Sequence, residues 1–318
     1  MAMARVLFFF IDGVGIPPKP VFENIPLFSP GLNEYPRELP REGLAVAADA
    51  RLGIPGLPQS ATGQSTLITG VNAPAIMGRH VSGFPGPTLK TLIGKRGLFQ
   101  RLQVKGIPRE RLCFANAFRP IFFQKPRARV SASTFHALSA GVPLATLKDV
   151  SEGRALYHDF TNRLLINQGY PLPLLSPCQA GKVLARLTQK HTFTFYEYFL
   201  TDLAGHRRNF PMATRLLRDL EEMLFSTLDH LTLDETTVIV ASDHGNIEDL
   251  ERSPHTTNPV PVMAWGREKE KILRVKSIQG VPLLAEEILT LKGLHLTAMP
   301  TSVTPASLHK PITRTTSP

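Results

Sequence analysis

The chain has 318 residues, 42% of them hydrophobic, and a mean hydropathy of -0.03, which fits one large α/β domain or a core carrying a smaller insert. Its formal charge of +10 and pI near 9.8 point to anionic partners, but no aromatic-interleaved basic motif, helix-turn-helix pattern or zinc finger accompanies them, so sequence-specific nucleic-acid binding is set aside. Two distant cysteines, Cys113 and Cys178, form neither a CxxC site nor a disulfide framework, and no apolar stretch reaches bilayer length. A cytoplasmic protein with reduced thiols and no membrane partner is expected.

In chain order, "RVLFFFID" (5–12) reads as a strand buried on both faces, too short for a signal-peptide core and ending in Asp12. "LPQSATGQSTLITG" (57–70) runs from a proline-rich loop into the first turns of a helix. It leaves Ser60 or Thr62 at a helix N-terminus, where free N–H groups and the macrodipole favour negative charge. Such a hydroxyl is an N-cap or a nucleophile, and the two roles are compatible. "LFQRLQVKG" (98–106) reads as a helix. The span from Ala117 to Cys178 is less regular and reads as a small insert or cap; its cations Arg119, Lys125, Arg127 and Arg129 either hold a substrate anion or form a solvated basic face.

"AGKVLARLTQ" (180–189) and "ATRLLRDLEEMLFSTLDHL" (213–231) are helical patterns, the second with Leu216, Leu217, Leu220, Met223, Leu224 and Leu228 on one face. Between them "TFTFYEYFLTD" (192–202) is a strand pattern ending in Asp202, and beyond them "TTVIVASD" (236–243) is another ending in Asp243. Strands alternating with helices predict a mostly parallel central sheet with helices on both faces. The expected organisation is one domain over 1–296, an insert within 117–178, and a disordered Pro/Ser/Thr-rich tail over 297–318.

Three strand-end carboxylates at one edge of a sheet repel one another unless a cation or protonation compensates. The histidines reinforce the cation. His206 follows Asp202 by four residues, His244 follows Asp243 directly, and His255 lies in the proline-stiffened loop "SPHTTNPVP". A mixed imidazole and carboxylate set suits Mn or Zn, with Fe or Co behind them, better than Ca. Six candidate ligands exceed what one ion needs, and two ions about 3.5–4 Å apart would use the surplus.

The segments "FFFIDGVG", "QSATGQSTLITG", "TDLAGH", "SDHGNIED" and "HTTNPVP" together resemble the alkaline phosphatase superfamily, closest to its cofactor-independent phosphoglycerate mutase and phosphopentomutase branch. The resemblance implies an alkaline phosphatase-like α/β core. It also implies one metal on Asp202, His206 and His255, and a second on Asp12, Asp243 and His244 with the nucleophile hydroxyl bound to it. Ser60 matches the family nucleophile; Thr62 is the runner-up and Ser65 third. Gln59 and Gln64 stand where the mutases carry Asn and His, and the middle of the chain shows none of the mutases' substrate-binding motifs. The expected activity is metal-dependent phosphoryl transfer through a phosphoserine, with hydrolysis of a small anionic phosphoester ahead of a phosphomutase with a reduced cap. A degenerate member that binds metal or a phosphorylated ligand without turnover is the third reading.

Overall fold

Strand β1 (Arg5–Ile11) sends Leu7, Phe9 and Ile11 to one face and Val6, Phe8 and Phe10 to the other, all buried. A strand packed on both faces requires helices above and below its sheet. That is the layer plan of the computed structural model, which describes residues 4–124, 129–251 and 254–290. The remaining strands are β2 (Arg37–Leu39), β3 (Gly43–Ala48), β4 (Leu112–Phe114), β5 (Ala117–Phe118), β6 (Ala145–Thr146), β7 (Phe193–Tyr198), β8 (Thr236–Ser242) and β9 (Val260–Gly266).

Seven of them form one sheet in the order β2-β3-β9-β8-β1-β7-β4. Its core, β8-β1-β7-β4, is parallel, as the strand and helix alternation predicts. The other half is antiparallel: β9 runs against β8, β3 against β9 and β2 against β3. β5 and β6 make a separate parallel ribbon.

On one face lie the helices Pro177–Lys190 and Phe210–Asp229. The first begins in a capping box between Ser176 and Gln179, with Pro177 at its first position. The second is capped by Asn209, whose side chain accepts the Met212 N–H at 2.9 Å. Leu217, Leu220, Met223 and Leu224 of this helix are fully buried, each worth about 1.5–3 kcal/mol of burial. The opposite face is covered by Ser60–Thr69, Leu98–Val104, Ala132–Ser139 and Gly280–Leu289.

The sequence pattern and the structure part at two places. The run 192–202 is not one strand: β7 stops at Tyr198, Phe199 turns out of the extended region, and Leu200–His206 is a helix. Asp202 therefore sits in the first turn of a helix rather than at a strand end. The middle of the chain is also not all cap. The Ala132–Ser139 helix belongs to the core layer, where buried His136 accepts the Phe99 N–H at 2.8 Å and stacks on the Phe99 ring. Lys125, Arg127 and the tail 297–318 lie outside the described residues. Among the described residues no helix is long and apolar enough to cross a membrane.

Candidate metal centre

Strands β8, β1 and β7 lie side by side and run the same way, so their carboxyl ends come out level. Ile11 pairs with Tyr198 on one side and with Ser242 on the other. The next residues, Asp12 and Asp243, open onto that rim. Asp12 is fixed through its backbone: its N–H donates to the Tyr198 carbonyl at 2.8 Å, and its carbonyl accepts the Thr201 hydroxyl at 2.5 Å. The helix after β7 brings Asp202 and His206 to the same rim as an i,i+4 pair, Oδ2 to Nε2 3.3 Å. Because β9 runs against β8, with Ala241 opposite Val262, the loop leading into β9 begins where β8 ends and delivers His255.

The six side chains named from sequence meet. Asp202, His206 and His255 form one group; Asp12, Asp202 and His244 form a second, each with ligand atoms within 4.8 Å of one another. Asp243 touches the second group, its Oδ2 lying 3.4 Å from His244 Nε2, and Asp202 stands between the two. The other nearest separations are 3.3 Å for Asp12 to His244, 3.5 Å for Asp202 to His255 and 3.2 Å for His206 to His255. Four ligands held tetrahedrally at about 2.0–2.1 Å from a cation are about 3.3 Å apart, so these spacings match the edges of a coordination tetrahedron. His255 Nδ1 donates to the Pro58 carbonyl at 2.9 Å, which orients the ring with its Nε2 toward the cluster.

Electrostatics point the same way. Asp12 Oδ1 and Asp243 Oδ2 are buried without a hydrogen-bond partner, a cost of about 1–3 kcal/mol each unless a cation supplies the interaction. Burial first, then the Asp12 and Asp202 charges, raises the Asp243 carboxyl well above the usual carboxylate range. For Asp202 burial also works upward, but the His255 hydrogen bond, the His244 charge and the Asn246 donor outweigh it and bring the carboxyl down to about 2. The donor set and its unpaired oxygens fit divalent cations.

Of the three candidate hydroxyls, Ser60 is the one that faces this cluster. It is the first residue of the Ser60–Thr69 helix, and its Oγ lies 3.0 Å from His244 Nε2. The N-cap itself is Gln59, whose side chain makes no capping bond. Thr62, the runner-up, is fully buried and turned to backbone: its hydroxyl donates to the Gln59 carbonyl and accepts the Val81 N–H, both at 3.1 Å. Ser65 likewise donates to the Ala61 carbonyl at 2.6 Å. Gly63 makes the Ser60 placement possible, since a Cβ there would meet the Asp243 carbonyl oxygen at 2.9 Å.

Two residues at the site, Asn246 and Glu197, escaped the sequence reading, and a third, Gln64, was read only as a departure from the mutase pattern. Asn246 donates to Asp202 Oδ1 at 2.7 Å and holds that carboxylate between the two groups. Gln64 donates to Asp12 Oδ2 at 3.1 Å. Glu197, in the middle of an apolar strand, accepts the Ser133 hydroxyl at 2.5 Å; burial, relieved in part by that bond and reinforced by the Asp12 charge, lifts its carboxyl to about 7. A lone carboxylate inside "FTFYEY" is the signal that marks it.

Beside the cluster opens a cleft of about 890 Å³ with Asp12, Ser60, Asp202 and His206 in its lining. Arg119, held to Gln168 at 2.6 Å, and Arg129 stand on its wall.

Residues 179–295 match the Metalloenzyme superfamily, a span that holds five of the six candidate ligands and leaves Asp12 and Ser60 outside. A 2,3-bisphosphoglycerate-independent phosphoglycerate mutase of Methanocaldococcus jannaschii is 26% identical over 87 residues, 27% of this chain and 21% of that protein. The enzyme of the same name from Paracoccus denitrificans is 30% identical over 130 residues, 39% of this chain and 25% of that protein. These matches span about a quarter or less of the relatives' length. A cold-active alkaline phosphatase from a Shewanella species superposes with a TM-score of 0.53 at 12% identity, covering 89% of this chain and 99% of that one. At that identity the likeness is one of fold.

Proposed function

We propose that this chain, whose residues 179–295 match the Metalloenzyme superfamily and whose fold is that of an alkaline phosphatase, transfers a phosphoryl group from a phosphoester to Ser60 and then to water. The observation that carries the reading is the Ser60 hydroxyl 3.0 Å from His244 Nε2, at a helix N-terminus and beside two groups of ligand atoms. Asp202, His206 and His255 would hold one divalent ion, Mn or Zn; Asp12, Asp243 and His244 would hold the other, next to Ser60. Two such ions supply neutralisation of the non-bridging phosphoryl oxygens and favour a deprotonated serine at neutral pH.

The chain's own residues do the rest. The N-terminus of the Ser60–Thr69 helix favours negative charge on Ser60 Oγ and on the phosphoserine that forms there. As the Oγ–P bond forms, the ester P–O bond breaks and the departing oxygen leaves as the alcohol after taking a proton. Water then attacks phosphorus, inorganic phosphate departs and Ser60 is restored. Asn246 keeps Asp202 between the two groups throughout, and Gln64 steadies Asp12.

The second reading, a phosphomutase, is favoured by the names of the matched relatives. It differs in where the phosphoryl group goes. Incubation of metal-loaded protein with a panel of phosphomonoesters, phosphodiesters and sulfate esters, 3-phosphoglycerate among them, separates the two. Free phosphate is expected; an isomer without free phosphate establishes the mutase, and inertness toward the whole panel removes phosphoryl transfer.

A further inference from the structure

The cleft above Ser60 is larger and more apolar than a small, highly charged sugar acid requires. About 890 Å³ lies within the roughly 300–1,000 Å³ that encloses a drug-sized ligand, well beyond what three carbons fill. Away from the ligand cluster its wall is formed by Phe84, Phe118, Ile121, Phe122, Tyr157 and Phe199. Phe84, Ile121 and Phe199 are 53%, 41% and 36% exposed, large apolar side chains turned toward one opening. A surface that gathers apolar side chains at the mouth of a polar site marks a ligand surface.

The aromatic rings stand in two sets. Phe118 and Phe122 pack with centroids 4.4 Å apart, and the His158 ring lies between Tyr157 at 3.9 Å and Phe199 at 4.4 Å. Burial, with the Arg119 charge behind it, holds the His158 imidazole down to about 4, so this stack is uncharged at neutral pH. Between the aromatic wall and Ser60 the described cations on the lining are Arg119 and Arg129, and Arg119 is already bonded to Gln168.

Resting on the phosphoryl-transfer reading for the position of the phosphate, we infer that the cleft takes organic phosphates whose alcohol portion is a long alkyl or aryl group, the phosphate lying at Ser60 and the apolar group against Phe84, Phe118, Phe122 and Phe199. Discrimination then comes from apolar area buried on the leaving group. Each added methylene in such a pocket is worth roughly 10–200-fold at the transition state.

Two matched pairs test this on metal-loaded protein. Ethyl phosphate and 4-phenylbutyl phosphate are both primary alkyl esters with similar intrinsic reactivity; ethylphosphonate and 4-phenylbutylphosphonate are their uncleavable counterparts, read by titration calorimetry. The phenylbutyl member is expected to have a kcat/KM at least tenfold higher and to bind at least tenfold tighter. Phe122→Ala and Phe84→Ala, on separate segments, are each expected to lose more on the phenylbutyl member than on the ethyl member, which general misfolding would not do. Equal or reversed preference in both pairs, or a kcat/KM for 3-phosphoglycerate above that for 4-phenylbutyl phosphate, overturns the inference while leaving phosphoryl transfer in place. Inertness toward every ester with the phosphonate preference intact removes the proposed reaction and upholds the ligand class.

Discussion

Ser60 and Thr62 stand two positions apart on one helix, and their surroundings give them opposite fates on substitution. Ser60→Ala removes the hydroxyl nearest the ligand cluster and is expected to lower kcat at least about 10³-fold with little change in stability. Thr62→Ala removes the hydroxyl that accepts the Val81 N–H, while the Gln59 carbonyl keeps the Gly63 N–H at 2.8 Å, so it is expected to cost about 1–3 kcal/mol of stability, read by chemical denaturation, with kcat retained within severalfold. Glu197 offers a pH test. Its folded carboxyl is lifted from 4.5 to about 7, so between those values the folded chain binds the proton that the unfolded chain releases. Stability from this group is present below about 4.5 and lost as pH rises through about 7, by up to about 3 kcal/mol. Denaturation in chelator at pH 5 and pH 8 is expected to show a fall that Glu197→Gln shrinks; an identical fall in the variant contradicts it. The candidate ligands were legible in the sequence because carboxylates and imidazoles at strand and loop junctions have few other reasons to cluster. Glu197, Gln64 and Asn246 were not, because their roles depend on what faces them across the fold.

At the scale of elements, two placements could not be read from local pattern. The run ending at Asp202 is apolar and aromatic enough to look like one strand, yet the chain turns at Phe199, and a helical turn then aligns Asp202 with His206. His255 reaches the rim because β9 is antiparallel to β8, a pairing set by the sheet rather than by the residues before it. The Ser60–Thr69 helix was legible from the proline-rich loop running into "GQSTLITG", but its seat against Asp243 depends on Gly63. In Gly63→Ala the new methyl would approach the Asp243 carbonyl oxygen at 2.9 Å and its Cβ at 3.0 Å, so the helix must yield by a few tenths of an ångström. The expected result is about 1–3 kcal/mol of destabilisation and a fall in kcat/KM of about 10²-fold, since small displacements of a reacting group are costly. A variant with unchanged kcat/KM would mean that the helix position does not govern the chemistry.

Across the whole molecule, the site joins the first strand, the turn after β8, the helix after β7 and the loop before β9, segments far apart in the chain. Ions bound there would tie these segments together and relieve the crowding of Asp12, Asp202 and Asp243. Binding at a free concentration of about 100 times Kd contributes about 2.7 kcal/mol per site, so chelation is expected to lower Tm by several degrees, with restoration by Mn or Zn. The parallel core and the two covering helix layers were legible from strand and helix periodicity, because each strand is apolar on both faces. The antiparallel half was not, since β2 has only 3 residues and β3, "GLAVAA", is built mostly of small residues with no distinctive alternation.

Metal stoichiometry by mass spectrometry on purified chain, wild type beside His206→Ala and Asp12→Ala, bears most directly on the gathering of six side chains around two cations beside Ser60. About two divalent ions per chain are expected in wild type, and about one in each variant, whose lost ligand belongs to a different group. A wild-type chain that holds no tightly bound divalent ion after loading with Mn or Zn, or variants that keep the full complement, would contradict it.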